Sequence, residues 1–219
     1  FAGLVLANEV FDALPVHLVA WRSQGIYERG VTLADGKFCW KERPLAQGEL
    51  CNIASSLQVP ADYVSEIHLA ARGLMRSLAA LLDLGVILLL DYGFGAAEYY
   101  HPQRNRGTLM CHYRQQAHDE PFYLPGLQDI TAHVNFSALV ESAGDLRLLG
   151  YTTQAHFLVN CGITGILGET APDDTAYLPL ASAAQKLLSP AEMGELFKVL
   201  ALGKDISQQL IGFMSGDKS

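Results

Sequence analysis

Residues 8–15, NEVFDALP, place two carboxylates three positions apart directly after a short apolar run. If that run is a buried strand, Glu9 and Asp12 follow its end and can face one cleft. Two carboxylates there could bind a cation, act as acid and base, or orient an amine or guanidinium. Alternatively, one of them caps the following turn while Phe11 and Leu14 lie in the core. The spacing alone leaves both interpretations open.

A second candidate is the stretch LLLDYGFG, in which Asp91 ends another apolar run. Gly93 and Gly95 follow and would let the backbone approach a ligand closely. The stretch contains no phosphate-binding motif, and a turn with a capping aspartate explains it equally well. It therefore adds a candidate residue, Asp91, without indicating a reaction.

The third candidate is a long stretch, residues 107–136, rich in groups able to bind metals or substrates. These groups are Cys111, His112, His118, Asp119, Asp129 and His133. Their spacing matches no standard zinc pattern, and adjacent residues of an extended chain point in opposite directions. We therefore predict a hydrogen-bonded lid or substrate wall here, and no metal site. The chain also lacks the GxSxG, GxGxxG and P-loop motifs.

The apolar runs that precede these groups are typical of strands. Residues 3–7 and 86–90 are continuous apolar runs, the pattern of a strand covered on both faces. Residues 60–84 have helical spacing that Gly85 would end. A helix followed by an apolar strand that closes on Asp-x-Gly favours a parallel α/β sheet. Further strands are predicted at 146–152 and 197–202, and helices at 136–143, 154–161, 175–188 and 190–196.

Two segments depart from this alternation of helices and strands. Residues 16–41 contain three alternating runs, and the Asp35-Gly36 pair between the last two is a strong hairpin signal. We predict a small antiparallel meander there. Residues 94–128 are long for a connection and rich in Gly, Pro, His and Tyr, so we predict an ordered lid or insertion.

The composition excludes several classes of protein. The 219 residues are half apolar with a formal net charge of −8, which allows a sizeable core and argues against disorder. The negative charge argues against a nucleic-acid module, which usually has a basic face. The four cysteines form no CxxC pair and suggest no disulfide framework, which favours a reducing compartment. The longest apolar run, residues 78–90, is too short to span a bilayer, so we expect no membrane partner.

Six specific stretches occur in order along nearly the whole chain. They are LANEVFDALPVH, YVSEIHLAA, LLLDYGF, GTLMCHYR, PGLQDITAHVNFSAL and MGELFKVLAL. On these stretches the chain resembles the MidA-like family of S-adenosylmethionine-dependent methyltransferases. That family includes a mitochondrial arginine methyltransferase that assists assembly of respiratory complex I.

The resemblance implies an α/β fold, a partial class I methyltransferase sheet of the Rossmann-like type. Its fourth, fifth, sixth and seventh strands would be residues 3–7, 86–90, 146–152 and 197–202. The meander at 16–41 and the segment at 94–128 would be insertions over the substrate side. Residues 1–219 would then be the carboxyl-terminal part of one methyltransferase domain, without the cofactor-binding half. The fourth strand would become an exposed apolar edge that an oligomer or another part of the protein covers.

The resemblance also implies S-adenosyl-L-methionine as cofactor and an arginine-bearing protein as substrate. Glu9 and Asp12 stand where other class I enzymes place an acceptor-binding motif. We therefore predict them as the catalytic pair, with Glu9 orienting the acceptor and Asp12 assisting or holding the loop. Asn8 and Glu9 are predicted to contact the cofactor. The predicted substrate-binding residues are Asn8, Phe11, Glu66, Asp91, Tyr92, Asp129, Thr131 and His133.

Two other functions remain open at this point. A chain without the cofactor loop could be a non-catalytic module for protein binding or assembly. An acidic strand-end loop would also suit a methyltransferase that acts on a small amine. The expected compartment is a bacterial cytoplasm, and the family resemblance gives the mitochondrial matrix as the alternative.

Overall fold

The structure is a computed structural model that describes residues 1–218. Its strands are β1 (Ala2–Asn8), β2 (His17–Arg22), β3 (Gly25–Ala34), β4 (Lys37–Pro44), β5 (Tyr63–Ile67), β6 (Leu84–Phe94), β7 (Met110–Tyr113), β8 (Gln116–His118), β9 (Asp129–Thr131), β10 (Val134–Asn135), β11 (Arg147–Thr153) and β12 (Phe197–Lys204). Its helices are α1 (Glu49–Ser56), α2 (Leu69–Leu81), α3 (Ala96–Tyr99), α4 (Phe136–Glu141), α5 (Gln154–Asn160), α6 (Ile163–Gly168), α7 (Tyr177–Leu188) and α8 (Met193–Leu196). None of the described helices has the length and apolar character needed to cross a membrane.

The chain forms two compact units. The first comprises Phe1–Val10, Met75–Gly93 and the described chain from Leu139 onwards. The second comprises Phe11–Leu74 and Phe94–Ala138.

The first unit is built on a sheet whose main path runs β1-β6-β12-β11. β1 and β6 pair in parallel, from Ala2 opposite Leu84 to Asn8 opposite Leu90. β12 is antiparallel to both of its neighbours, so β11 runs in the same direction as β1 and β6. The first seven residues of β12 are all buried, as expected for an apolar run in a central strand. The four strands predicted for this sheet, and the α/β fold of the class I methyltransferase type, are confirmed.

β1 is the outermost strand of this path, and the prediction that it is covered on both faces is wrong. Leu4 and Leu6 are each 62% exposed, whereas Ala7 is buried. Alternate residues of a strand share one face, so one face of β1 is open within the described chain. β1 is also paired on one side only, with β6, which agrees with the expected exposed apolar edge, a feature that favours association.

The segment predicted as one helix over 60–84 contains a strand and a shorter helix. β5 is buried at all five positions and pairs with β2 in an antiparallel register. Tyr63, Val64 and Ile67 are aromatic or β-branched residues, which favour a strand where a partner strand is available. α2 therefore begins only at Leu69.

Gly85 also has a role other than the predicted end of the helix. α2 ends at Leu81, and Gly85 lies inside β6 opposite Gly3 of β1. A Cβ atom at Gly85 would lie 1.8 Å from the carbonyl oxygen of Gly3. The close pairing of the two strands therefore requires glycine at this position.

The second unit contains the predicted meander. β2, β3 and β4 pair in an antiparallel sheet that β5 extends, in the order β4-β3-β2-β5. Asp35 and Gly36 form the turn between β3 and β4 with φ angles of 49° and 75°, as the predicted hairpin requires. The Trp21 indole N–H donates to the carbonyl oxygen of Ala54 at 3.0 Å. This bond ties the sheet to α1, which the sequence did not predict.

The segment at 94–128 is more regular than a long loop. It contains α3, β7 and β8, and the last two form a small sheet with β9 in the order β8-β7-β9. α4 begins after Asn135, whose side-chain oxygen accepts the backbone N–H of Ala138 at 3.1 Å. α5, α7 and α8 correspond to three predicted helices, and α6 was not predicted.

Candidate active site

An open cavity of about 510 Å³ lies in the second unit. Its walls come from the loop at 12–16, from the meander and from the segment at 109–132. The lining residues are Asp12, Ala13, Leu14, Pro15, Val16, Leu18, Arg29, Val31, Phe38, Trp40, Leu109, Pro121, Phe122, Pro125, Ile130, Thr131 and Ala132. An apolar lining with a few polar groups is typical of sites that bind organic ligands.

Three aromatic side chains line one part of this cavity. The ring centroids of Trp40 and Phe122 are 4.8 Å apart, and those of Phe38 and Phe122 are 6.3 Å apart. Phe38 and Trp40 are two positions apart on β4, so they share one face of the meander. The faces of such rings attract cations. The guanidinium of Arg29 already lies 5.3 Å from the Trp40 ring centroid.

Asp12 supplies the carboxylate of the cavity. It is 5% exposed, and its backbone carbonyl accepts the N–H of Ala132 at 3.0 Å. Thr131 is 4% exposed, and its hydroxyl oxygen has no hydrogen-bond partner within residues 1–218. A buried polar atom without a partner is costly, and a polar group of a ligand would satisfy it. Arg29 adds a cation, and its Nε lies 3.5 Å from Glu42, a carboxylate that the guanidinium of Arg22 also binds.

Asn8 and Glu9 belong to the first unit, and both are exposed. The Asn8 amide donates to the Glu9 carboxylate at 3.3 Å. Glu9 has a φ of 50°, and its N–H donates to the carbonyl oxygen of Leu90 at 2.9 Å. Ligands of α/β sheets bind at the carboxyl ends of parallel strands, so these two polar side chains fit one wall of a cofactor site. Neither residue lines the 510 Å³ cavity, which does contain Asp12.

Glu66 is fully buried at the centre of a hydrogen-bond network. Its Oε1 accepts the backbone N–H groups of Thr108 at 2.8 Å and Leu109 at 3.0 Å. Its Oε2 accepts the hydroxyls of Thr108 at 3.1 Å and Tyr99 at 3.2 Å. A Cβ atom at Gly107 would lie 2.4 Å from Oε1. The four donors fill the acceptor sites of a carboxylate, so the geometry favours a role in positioning residues 107–109.

The same network continues to a buried histidine. Nε2 of His68 lies 3.1 Å from the hydroxyl of Tyr99. Burial, with a smaller contribution from Arg72, lowers the pKa of His68 to about 4. Burial also raises the pKa of Tyr99 well above its ordinary value, so this hydroxyl stays a neutral donor.

We expect His68 to make stability depend on pH. Its folded-state pKa of about 4 lies below the ordinary value of 6.5, so the unfolded chain binds more protons between these values. The neutral His68 contributes fully to the free energy of unfolding above about pH 6.5. This contribution is lost as the pH falls towards 4, and the loss reaches about 2 kcal/mol at about pH 5. Urea unfolding at about pH 7.5 and about pH 5 should show this loss, and His68→Gln should reduce it. The exposed His112→Gln is the control, and equal pH dependence in both variants would contradict the assignment.

Two predicted substrate contacts lie in the first unit. Asp91 is 2% exposed, and its Oδ1 accepts the N–H of Tyr92 at 2.9 Å. Both residues lie inside β6, which continues to Phe94, so Asp91 neither ends the strand nor caps a turn, contrary to both interpretations of the sequence. The ring of Tyr92 packs edge-on against Phe197, with 5.4 Å between centroids.

Three further predicted contacts lie in the second unit. Phe11 is 1% exposed and belongs to the core, whereas Asp129 is exposed at the start of β9. The ring of His133 stacks on Phe94 with 5.3 Å between centroids. The backbone N–H of His133 donates to the hydroxyl of Thr108 at 3.0 Å, which connects His133 to the Glu66 network.

The metal-binding groups of residues 107–136 are not gathered into a cluster. Within residues 1–218, no three or more His, Cys, Asp or Glu side chains are arranged to hold a metal ion. Cys111 is buried, and burial raises the pKa of its thiol, while the adjacent His112 is exposed.

The structure thus brings two predicted residues, Asp12 and Thr131, to the cavity. It adds Phe38, Trp40 and Phe122, which the sequence analysis missed. The sequence did contain a pattern that indicates Phe38 and Trp40, because residues two positions apart in a strand share one face. No local pattern indicated Phe122.

Comparisons with known proteins identify the family of the chain. A family model described as S-adenosyl-L-methionine-dependent methyltransferase matches residues 1–152. The chain is 31% identical over 213 residues to the mitochondrial protein arginine methyltransferase NDUFAF7 of Danio rerio, covering 91% of this chain and 47% of that protein. The Mus musculus protein of the same name is also 31% identical, with 91% and 45% covered. The chain therefore spans about half the length of the curated relatives it matches.

A solved structure is more similar still. A crystal structure from Burkholderia thailandensis, bound to S-adenosyl-homocysteine, is 50% identical with a TM-score of 0.96. The match covers 100% of this chain and 58% of that chain. The protein therefore belongs to the MidA-like family of S-adenosyl-L-methionine-dependent methyltransferases.

Proposed function

We propose that the whole protein transfers a methyl group from S-adenosyl-L-methionine to an arginine side chain of a protein substrate. The observation that carries the proposal is the buried Asp12 carboxylate in a cavity with aromatic walls. The names of the Danio rerio and Mus musculus relatives support the acceptor. The ligand of the Burkholderia thailandensis structure supports the cofactor.

An arginine side chain is a planar cation on an apolar stem, and the cavity offers a surface for each part. The Asp12 carboxylate can accept two parallel N–H bonds, which would fix the plane of the guanidinium. Trp40 would cover the stem or the cationic plane. The hydroxyl of Thr131 would accept a further N–H.

Bound S-adenosyl-L-methionine supplies a methyl carbon that its sulfonium makes electrophilic. One guanidinium nitrogen would bond to this carbon as the carbon–sulfur bond breaks, and that nitrogen then loses a proton to a carboxylate or to water. The protein must hold the nitrogen in line with the breaking bond, a contribution that can be large. We assign the orienting role to Asp12, because it is buried in the cavity. Asn8 and Glu9 are the groups of this chain that would contact the cofactor or the edge of the acceptor.

The other predicted substrate contacts stay predictions. They are Phe11, Glu66, Asp91, Tyr92, Asp129 and His133. Glu66 and His133 are both hydrogen-bonded to Thr108, which favours a role in positioning the segment around Thr108.

A second function, a binding module without chemistry, is favoured by one observation. The cavity is complete within the second unit, so capture of a peptide does not require the exposed Asn8 and Glu9. Calorimetric titration with S-adenosyl-L-methionine separates the two functions. Peptide binding without cofactor binding would support the module.

Methylation by the full-length protein tests the proposed reaction. Isotopically labelled cofactor should label arginine peptides, and mass spectrometry should place the label on the guanidinium. Peptides with lysine or citrulline in place of arginine are the controls and should remain unlabelled. Cofactor binding with transfer to a small amine and to no peptide would instead support a small-molecule methyltransferase.

We also propose that the protein self-associates, and we propose a cellular compartment for it. Self-association through the exposed sheet edge at β1 is consistent with its outermost position and with the exposure of Leu4 and Leu6. Sedimentation velocity tests it, and an unchanged mass in Leu6→Lys would contradict it. The bacterial cytoplasm is the proposed compartment, and the mitochondrial matrix is the alternative, which the names of the relatives support.

A further inference from the structure

A second cavity in the same unit shares a wall with the first. It measures about 380 Å³. The residues that line both cavities are Leu18, Arg29, Trp40, Leu109 and Pro121. The two cavities are therefore adjacent, and two side chains of one polypeptide that lies across the shared wall can each enter one of them.

The second cavity is positively charged in a protein whose formal net charge is −8. Three guanidinium groups line it, those of Arg29, Arg104 and Arg106, against the single carboxylate of Asp119. Glu42 is shared by Arg29 and Arg22, and Arg22 holds its carboxylate through two hydrogen bonds, so all three lining arginines add positive charge to the cavity. A concave site of this kind attracts an anion.

Arg104 is held in place, whereas Arg106 is available. The guanidinium carbon of Arg104 lies 4.0 Å from the Phe94 ring centroid, and its Nε donates to the carbonyl oxygen of Glu98 at 3.3 Å. The exposed side chain of Arg106 makes no hydrogen bond or ion pair with another residue of the described chain. Such a guanidinium can receive a carboxylate through two parallel hydrogen bonds.

The backbone that carries Arg106 is fixed on both sides. Arg106 itself forms a parallel β-bridge with Val64. Two positions further along, Glu66 accepts the N–H groups of Thr108 and Leu109 at 2.8 Å and 3.0 Å. A cation on an ordered backbone loses less conformational entropy on binding than a cation on a mobile loop.

We propose that the second cavity binds an aspartate or glutamate side chain of the same polypeptide whose arginine enters the first cavity. This inference rests on the proposed function, since it defines which arginines the groove selects. The shared wall requires the two side chains to be near each other, within about four residues at about 3.3 Å per residue of extended chain. A nucleic acid fits less well, because a net charge of −8 repels a polyanion.

The test uses full-length protein and peptides that share one arginine and carry Glu, Gln or Lys at one neighbouring position. That position is moved through about four residues on each side of the arginine. At the best position, the Glu peptide should bind about threefold to tenfold more tightly than the Gln peptide in fluorescence anisotropy, and salt should reduce this difference. Equal affinities at every position, or tighter binding of a single-stranded oligonucleotide, would overturn the proposal.

Charge reversal at Arg106 makes the test specific. Arg106→Gln should abolish the preference for the Glu peptide, and Arg106→Glu should shift it to the Lys peptide. Arg114→Gln removes the same charge at an exposed arginine outside both cavities and should keep the preference. A preference for Glu that survives in Arg106→Glu would overturn the assignment.

Binding and methyl transfer are measured separately on the same peptides. If arginine peptides are methylated but neither rate nor affinity depends on the acidic neighbour, the inference fails and the proposed function stands. If the Glu peptide binds preferentially and no peptide is methylated, the acidic-residue site stands and the proposed function fails.

Discussion

Asp12→Asn is expected to lower kcat/KM for an arginine peptide about 100-fold, measured as labelled methyl groups transferred by the full-length protein. The substitution keeps the size of the side chain and removes its charge at a position that is only 5% exposed. A charge-assisted pair with two hydrogen bonds would decide which guanidinium nitrogen faces the methyl donor. Misplacement by about 1 Å can cost on the order of 100-fold in rate, or about 2.7 kcal/mol.

The matched control is Asp35→Asn in the turn between β3 and β4. It makes the same chemical change at an exposed position, where asparagine tolerates the φ of 49°. Its activity should equal that of the unchanged protein, and circular dichroism should show that both variants fold. A larger loss in Glu9→Gln than in Asp12→Asn would move the orienting role to Glu9. Full activity in Asp12→Asn would remove the observation on which the proposed function rests.

The sequence could predict that the two carboxylates follow the end of β1 but not how they are oriented. An apolar run that ends in polar residues indicates the carboxyl end of a strand, where ligands bind. The spacing does not reveal that Glu9 turns with a left-handed φ of 50° and stays exposed. Nor does it reveal that the carbonyl of Asp12 binds the N–H of Ala132, because that contact joins segments far apart in the chain.

The fold could be predicted where burial dominates the local pattern. β12 is buried over seven consecutive positions, and the apolar run 199–202 after Lys198 indicates a central strand. Periodicity failed at residues 60–84, because Tyr63 and Ile67 are four apart and fit a helix as well as a strand. Pairing of β5 with β2 decides between them, and that pairing is a non-local contact. For the same reason the packing of Phe122 against Trp40 could not be predicted.

Glu66→Ala is expected to lower the free energy of unfolding by about 3–5 kcal/mol, measured by urea unfolding at neutral pH. The substitution leaves the N–H groups of Thr108 and Leu109 without their acceptor in a region where Glu66 is fully buried. Each unsatisfied buried donor costs about 1–3 kcal/mol, and the hydroxyl of Tyr99 loses a partner as well. Because residues 107–109 follow Arg106 directly, the preference for acidic peptides should fall together with stability.

Glu66→Gln separates the role of the acceptor oxygen from the role of the charge. The backbone donors both bind Oε1, and the two hydroxyls both bind Oε2. A glutamine could keep its amide oxygen at the first position and turn its NH2 group to the hydroxyls, which can rotate to accept. We therefore expect a loss of about 1 kcal/mol or less, since only the assistance of the charge disappears. Equally large losses of unfolding free energy in both variants would show that the charge of Glu66 holds residues 107–109. An unchanged free energy of unfolding in Glu66→Ala would contradict a stabilising role for the hydrogen-bond network.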